Sequence, residues 1–464
     1  MLGAVVALLT FAPQGAAAGG RDVARATVLT FTPAEHPFLM FGHTSIWIHD
    51  GRQAEQDRDL VYNFGTFDFG SPQVVPYFLL GRLPYWLSIA PLDWTLAVYG
   101  NEGRGVRAQE LSLSDEEVDT LERLLIERAR PENRLYAYGY VADNCTTRVR
   151  DIIDEATKGA LRRSIEREGA ALPDARNTAR KRVKRVLTGR PALGPLLHAS
   201  YGPALDQPLS AWDATFLPDD FAAALAGLGR VKHEESGVTR WARTDEMRQH
   251  ALRPLPTPEE IDRSPRRTLL VGIVIAVIGL ILGVATAQAG WDGAPRARRL
   301  LAGFLAALGT VAGLLGAAWL LLGFVSPLLR FNANMLASSP FAFVLTASAP
   351  GVARSDRRSI LRVRDALFAH TLGSAVVLIA ELTGLTRQNN LAFPLAMLFV
   401  WGGVLMSFAP AAANLAGGLA KGDAEDDAGG ALAGTGSSTP SGLAPVAGSG
   451  GATGDRSPPR GAGP

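Results

Sequence analysis

Thr268–Gln288 is an apolar run without a single charged residue. Such a run is long enough to cross the ~30 Å hydrocarbon core of a bilayer as a helix. Lipid cannot satisfy backbone N–H and C=O groups, so a run of this kind leaves the chain almost no other fold. Leu300–Phe324, Ala366–Leu385 and Leu391–Leu415 have the same character. Residues 268–415 are therefore predicted to form a membrane domain of about four helical spans. Phe341–Ala349 is too short to cross and reads as an interfacial or re-entrant piece. His370 and Glu381 fall inside the third run, where ionisable groups are costly and either serve function or pair within the bundle. Composition agrees: 47% of residues are hydrophobic and 19% charged. The net charge of only +2 gives no basis for nucleic acid as a partner.

The flanks divide the rest. Residues 1–18 carry a short apolar core and small residues at Ala16–Ala18, the pattern of a signal-like export segment, although a basic opening residue is lacking. Residues 416–464 are Gly, Ser, Ala and Pro with acidic residues at Asp423–Asp427, which reads as a disordered tail. Arg296, Arg298 and Arg299 between the first two runs, and Arg387 between the last two, place those loops in the cytoplasm. The region from 25 to 262 then lies outside, although the basic loop from 325 to 365 would lie outside too.

Within that region Cys145 is the only cysteine of the chain, so neither an internal disulfide nor a cysteine-paired zinc site is available. Val149, Ile152, Ile153 and Ala156 follow at helical spacing, and Asp143 or Asn144 can cap the helix. Cys145 is thus expected at a helix N-terminus, where unpaired N–H groups and the macrodipole stabilise a thiolate. The competing reading is a small buried hydrophobe. Thr44–His49 reads as a strand followed by an Asp50-Gly51 turn, with His43 at its start after Gly42. A cysteine nucleophile needs a histidine adjacent in space, and His43 is the expected base; His36 and His49 are expected to be solvated.

These stretches also carry a resemblance. Phe41-Gly42-His43, Tyr62-Asn63-Phe64-Gly65-Thr66-Phe67-Asp68-Phe69, Tyr136-Ala137-Tyr138-Gly139-Tyr140 and Asp143-Asn144-Cys145-Thr146-Thr147-Arg148-Val149-Arg150-Asp151 resemble the DUF4105 family, also described as the N-terminal periplasmic domain of Lnb, a lipoprotein N-acyltransferase. The resemblance spans residues 25–225, with 226–267 left as a linker. It implies an α+β, circularly permuted papain-like (NlpC/P60-type) domain in which histidine precedes cysteine, followed by the α-helical membrane bundle. It further implies a bacterial inner-membrane, multi-pass protein with the domain on the periplasmic side. The implied reaction moves an acyl chain from a phospholipid donor through a Cys145 thioester to the N-terminal amine of a lipoprotein acceptor, with no cofactor and no metal. Cys145 and His43 would be catalytic, and Asn63 would orient His43. A cell-wall cysteine peptidase or amidase would use the same pair on an amide, and a non-catalytic membrane scaffold would simply bury Cys145. Phe331-Asn332-Ala333-Asn334-Met335-Leu336 with Pro340 resembles the family's Asn-rich membrane segment, but the histidine that often precedes it is missing.

The remaining elements read as scaffold. Residues 26–49 are two strands flanking a turn, and residues 60–100 are short strands with a helix. The aromatics of that second stretch are core, with Phe78-Leu79-Leu80 and Tyr85-Trp86-Leu87 the members best placed for an acyl wall. Residues 114–130 are a helix opened by a Ser114/Glu117 capping box. Tyr136, Tyr138 and Tyr140 alternate like a strand leading to Cys145, and a hydroxyl there could serve an oxyanion. The basic residues from Arg176 to Arg190 read as a solvated helical face, with attraction to anionic phospholipid heads the competing reading.

Overall fold

A computed structural model describes residues 24–408 except 35, 37–38, 69, 80–82, 170–176, 188–192, 231–242, 246–257, 289–292 and 327. The chain divides into Met1–Ala409 and Pro410–Pro464. The second unit, which holds all of the expected tail, and the signal-like residues 1–18 lie outside the described residues.

The N-terminal region is built on one antiparallel sheet. Its strands are β1 (Arg25–Phe31), β2 (His43–His49), β3 (Asp59–Thr66), β4 (Pro84–Pro91), β5 (Val106–Leu111), β6 (Leu135–Ala137) and β7 (Arg243–Asp245), in the order β6-β4-β3-β2-β1-β5-β7. β1 lies inside the sheet, paired with β2 and β5, and six of its seven residues are buried in succession. Unbroken burial of this kind requires that both faces of the sheet be covered.

The helices of this region are α1 (Val74–Leu79), α2 (Leu92–Asn101), α3 (Asp115–Ala129), α4 (Cys145–Ala156), α5 (Ala160–Gly169), α6 (Ala179–Leu187), α7 (Leu193–Ser200) and α8 (Pro218–Arg230). On one face, Ala26, Val28, Ile46, Ile48, Tyr62 and Phe64 join Leu121 and Leu125 of α3, Val149, Ile152 and Ile153 of α4, and Phe221, Leu225 and Leu228 of α8. On the other, Leu29, Phe31 and Val61 pack with Trp47, Leu92 and Tyr99. Leu121 is wholly buried, so Leu121→Ala is expected to cost about 2–5 kcal/mol.

Several expectations hold closely. The two strands within 26–49 form and pair from Arg25 against His49 to Phe31 against His43. The Ser114/Glu117 capping box is present, and Val118, Leu121 and Leu125 form the buried face of α3. Residues 60–100 hold two helices rather than one. The tyrosine stretch is not a five-residue strand. β6 is three residues on the sheet edge, and the chain then turns at a Gly139–Asp143 bridge, because Cys145 must start α4 rather than continue the strand. Residues 226–267 include the end of α8 and all of β7, which pairs with β5.

Beyond them run α9 (Pro258–Gln288), α10 (Pro295–Val325), α11 (Phe343–Ala353), α12 (Arg357–Leu382) and α13 (Ala392–Phe408). Four segments are long and apolar enough to cross a membrane: Thr268–Gln288, Pro295–Val325, Ala333–Ala353 and Arg357–Leu382. The third was not expected to cross. Two 3-10 turns, Ala333–Met335 and Pro340–Ala342, extend α11 backwards over the short apolar stretch. The described part of the fourth expected span is the shorter α13. α10 packs against this extension closely enough that a Cβ on Gly316 would stand 2.5 Å from Ser339 backbone atoms. The molecule is therefore a mixed α+β chain, with an antiparallel-sheet domain and four apolar helices fit to span a membrane.

Candidate active site

Cys145 is the first residue of α4. Asn144 caps that helix: its Oδ1 accepts the N–H groups of Thr146 at 2.8 Å and Thr147 at 3.0 Å. Its Nδ2 donates to the carbonyls of Tyr140 and Phe216, both at 3.0 Å. The Thr147 hydroxyl accepts the Asn144 N–H at 2.8 Å, completing a capping box. These bonds bring the helix start, the preceding turn and the chain before α8 to one point. Cys145 is itself buried, at 6% exposure.

His43 opens β2. Its ring stacks on Tyr99 at 5.8 Å and lies beside Phe31, also at 5.8 Å. Its Nε2 meets Asn63 Oδ1 at 3.3 Å, which fits the tautomer with the proton on Nε2. Asn63 is buried on β3, beside the irregularity where the register with β4 shifts between Asn63 and Thr66. Gly65 makes that bend at φ 91°, and a Cβ there would stand 3.5 Å from Cys145 Cβ and 3.3 Å from Tyr138. A side chain at 65 would therefore need a conformation that L-residues rarely adopt and would crowd the thiol.

The structure brings Cys145, His43 and Asn63 together. Burial by itself raises the Cys145 pKa. The charge of His43, its hydrogen bond to the thiol, the Thr44 N–H and the Tyr138 hydroxyl more than offset it, lowering the thiol from its usual range to about 6. The Tyr138 hydroxyl donates to Cys145 Sγ at 3.7 Å. Burial, then the Cys145 charge, hold Tyr138 well above the usual phenol range, so it remains a donor. A second tie links the two elements: the Thr44 and Thr146 hydroxyls are 3.0 Å apart, and both residues are wholly buried. Each stands next to a member of the Cys–His pair, so this bond sets the register of β2 against α4. Neither threonine, nor the role of Gly65, was read from the sequence, since each depends on a contact between distant segments.

Aromatic side chains surround the thiol. Tyr85 stacks on Tyr138 at 4.3 Å, and Phe78 meets Tyr140 edge-on at 5.4 Å. Tyr85 and Leu87 are core, whereas Phe78 is only partly buried. Leu80 lies outside the described residues. A separate apolar cluster leads away from the site. Phe41 and Val141 pack in it with Met40, Leu205 and Phe216, and at its far side with Leu328, in the loop that follows α10. This second cluster, distinct from the core that holds Cys145, links the chain on either side of His43 and Asn144 to the loop after α10.

Other residues singled out in the sequence fall elsewhere. His36 is exposed. His49 is not simply solvated, because its Nδ1 pairs with Asp59 at 2.8 Å. The basic stretch is less open than expected: Arg180 is buried against Asp206, and Arg182 and Arg185 both pair with Asp220. His370 is buried, with Nδ1 donating to the Ala366 carbonyl at 2.8 Å and Nε2 facing the Ser339 hydroxyl at 3.2 Å. The Asn-rich stretch is the seam between domain and helices. Asn332 Nδ2 donates to the Ala199 and Ser200 carbonyls, and Asn334 Nδ2 to Ala199, all at 2.9 Å. Trp319 Nε1 donates to Ser200 Oγ at 2.9 Å, and the Gly202 N–H to the Leu328 carbonyl at 2.7 Å.

Fold and site together define a membrane protein whose sheet domain holds a Cys–His–Asn cluster at a helix start. Residues 21–179 match the family described as the Lnb N-terminal periplasmic domain. The match covers β1 through β6 and every residue of the cluster. No curated protein and no solved structure matches the chain.

Proposed function

We propose that the chain is a thiol acyltransferase of the bacterial inner membrane, multi-pass, with its sheet domain on the periplasmic side. The domain is read as a circularly permuted papain-like unit, because the histidine strand precedes the cysteine helix. The observation that carries the proposal is the Cys145–His43–Asn63 cluster, buried at the start of α4 in a chain with four helices fit to span a membrane.

In this reading Asn63 holds His43 through Nε2, leaving Nδ1 to exchange the proton of Cys145. A thiol of pKa about 6 is roughly nine-tenths thiolate at neutral pH. Cys145 Sγ attacks an ester carbonyl of a phospholipid. The C–S bond forms, the ester C–O bond breaks, and the leaving lysolipid oxygen takes its proton from His43. The α-amine of a lipoprotein's terminal cysteine then attacks the thioester. A C–N amide bond forms, the C–S bond breaks, and the amine's proton passes to His43. The Cys145 N–H, at the first position of α4, and the Tyr138 hydroxyl are the donors best placed for the oxyanion. The aromatic side chains around the thiol support transfer over hydrolysis, because they favour a lipid-borne amine over water.

The test uses the full-length protein reconstituted in phospholipid with a diacylated lipoprotein. One acyl mass is expected at the lipoprotein's terminal cysteine. Cleavage of peptidoglycan peptides without any acyl gain would instead identify a wall amidase.

A further inference from the structure

A second concentration of buried polar atoms lies at the seam, away from the cysteine. Glu381 is near the end of α12, and the following loop folds back over it. The Asn390 N–H donates to Glu381 Oε2 at 3.3 Å, and the Thr386 N–H to the Ala380 carbonyl at 3.1 Å. The same loop meets the Asn-rich stretch: Gln388 Oε1 accepts the Ala333 N–H at 2.8 Å, and its Nε2 donates to Asn332 Oδ1 at 2.6 Å. It also reaches the domain, where the Asn389 N–H donates to Asp206.

Most of this network is paired, and one part is not. Glu381 Oε1, Thr386 Oγ1 and both side-chain atoms of Asn390 are buried without a hydrogen-bond partner. Asn390 is only 3% exposed. In the Asn-rich stretch, Asn334 Oδ1 is also buried and unpartnered, in a residue with no exposed surface. An isolated orphan of this kind is uncommon, and a group of them marks a place able to hold an ion or water. The loop's set is acceptor-rich: oxygens from Glu381, Thr386 and Asn390 stand against a single unpaired amide donor on Asn390.

Charge decides the sign of that ligand. The side-chain charges acting on Glu381 are those of Arg180 and Asp206. Arg180 is already committed: Nε donates to both Asp206 oxygens at 2.8 Å, and its Nη atoms donate to the His198, Tyr201 and Gly202 carbonyls. His198 adds no charge, because burial, then Arg180 and Lys184, lower its pKa to about 3. Arg180 and Asp206 offset one another as a buried pair, so an ionised Glu381 is the one carboxylate of this loop without a paired cation. Hard oxygen donors and one net negative charge suit a monovalent cation; a divalent ion would overcompensate.

We propose that Glu381, Thr386 and Asn390 form a binding site for a small monovalent cation such as sodium. Occupancy ties the loop after α12 to the Asn-rich stretch and, through Asp206 and the α7 carbonyls, fixes the domain on its membrane helices. The Asn-rich stretch thereby has a role that the cysteine chemistry does not require.

The test is thermal unfolding of the full-length protein in detergent, followed by tryptophan fluorescence, with sodium chloride exchanged for choline chloride at constant ionic strength. Wild type is expected to melt about 5 °C higher in saturating sodium. Glu381→Gln and Thr386→Val should each lose most of that shift. Thr386→Val alone decides the matter if Glu381→Gln does not fold. Equal wild-type midpoints in the two salts overturn the site, since Glu381 would then hold a proton. A full sodium shift retained by Thr386→Val overturns it too, by placing the ion elsewhere.

Discussion

Two helices of the domain open with the same device and end up with different roles. α3 begins with a Ser114/Glu117 capping box, and α4 with an Asn144/Thr147 capping box. Both satisfy N–H groups that the first turn would otherwise leave unpaired. The Ser114 box is solvent-exposed and ties only neighbours in sequence. The Asn144 box is buried, and it reaches Tyr140 and Phe216 as well as its own helix. Burial is what turns an ordinary cap into a platform for chemistry, because it holds Cys145 within reach of His43 and Tyr138 while excluding water. The cap sets where the thiol points; its surroundings set its pKa.

Substitutions can break this contrast in graded steps. Cys145→Ala should remove all acyl transfer and leave unfolding by denaturant nearly unchanged. His43→Ala should fall about as far, and the double substitution no further, since the two act as one unit. His49→Ala and His36→Ala should retain most activity in the same assay. Next comes the cap itself. Asn144→Ala strands buried donors and acceptors, so it should cost about 2–3 kcal/mol and most of the activity. Ser114→Ala should cost about 0.5–1 kcal/mol and no activity. Equal losses at the two caps would end the distinction drawn between them.

Smaller effects sharpen it. Thr146→Val keeps the shape of the side chain but removes the hydroxyl facing Thr44. Its kcat should drop about tenfold with KM little changed, because only the mutual placement of Cys145 and His43 is disturbed. The pH dependence has a definite sign. Below about 6 the Cys145 thiol is protonated, so alkylation by iodoacetamide should be slow there and rise as pH passes that value. An uncoupled buried thiol would instead respond only well above pH 8.

The parts legible in sequence were those written in short stretches. The α3 box, the apolar face of α4 and the β2 strand behind Gly42 follow from local spacing, and His43, Asn63 and Cys145 stood out within motifs. What escaped was made by contacts between distant segments. Thr44 and Thr146 are 102 positions apart and have no local signature. Gly65 looked like any strand glycine until Cys145 was packed against it. The tyrosines at 136, 138 and 140 alternate as a strand does, yet the Gly139–Asp143 bridge ends the strand and points Tyr138 at the thiol. Hydropathy found the long runs but misjudged Phe341–Ala349, because its helical extension passes through polar Asn332–Ser339. Those residues are held by carbonyls of α7 and by Gln388, which no window average can see.

Acyl transfer by this route requires Cys145 to carry an acyl group. The direct measurement is intact mass of the full-length protein after incubation with phospholipid and without lipoprotein, followed by peptide mapping. The predicted result is one acyl mass on the peptide containing Cys145, released by hydroxylamine and absent from His43→Ala. An unmodified Cys145 in a protein that still acylates lipoprotein would contradict it.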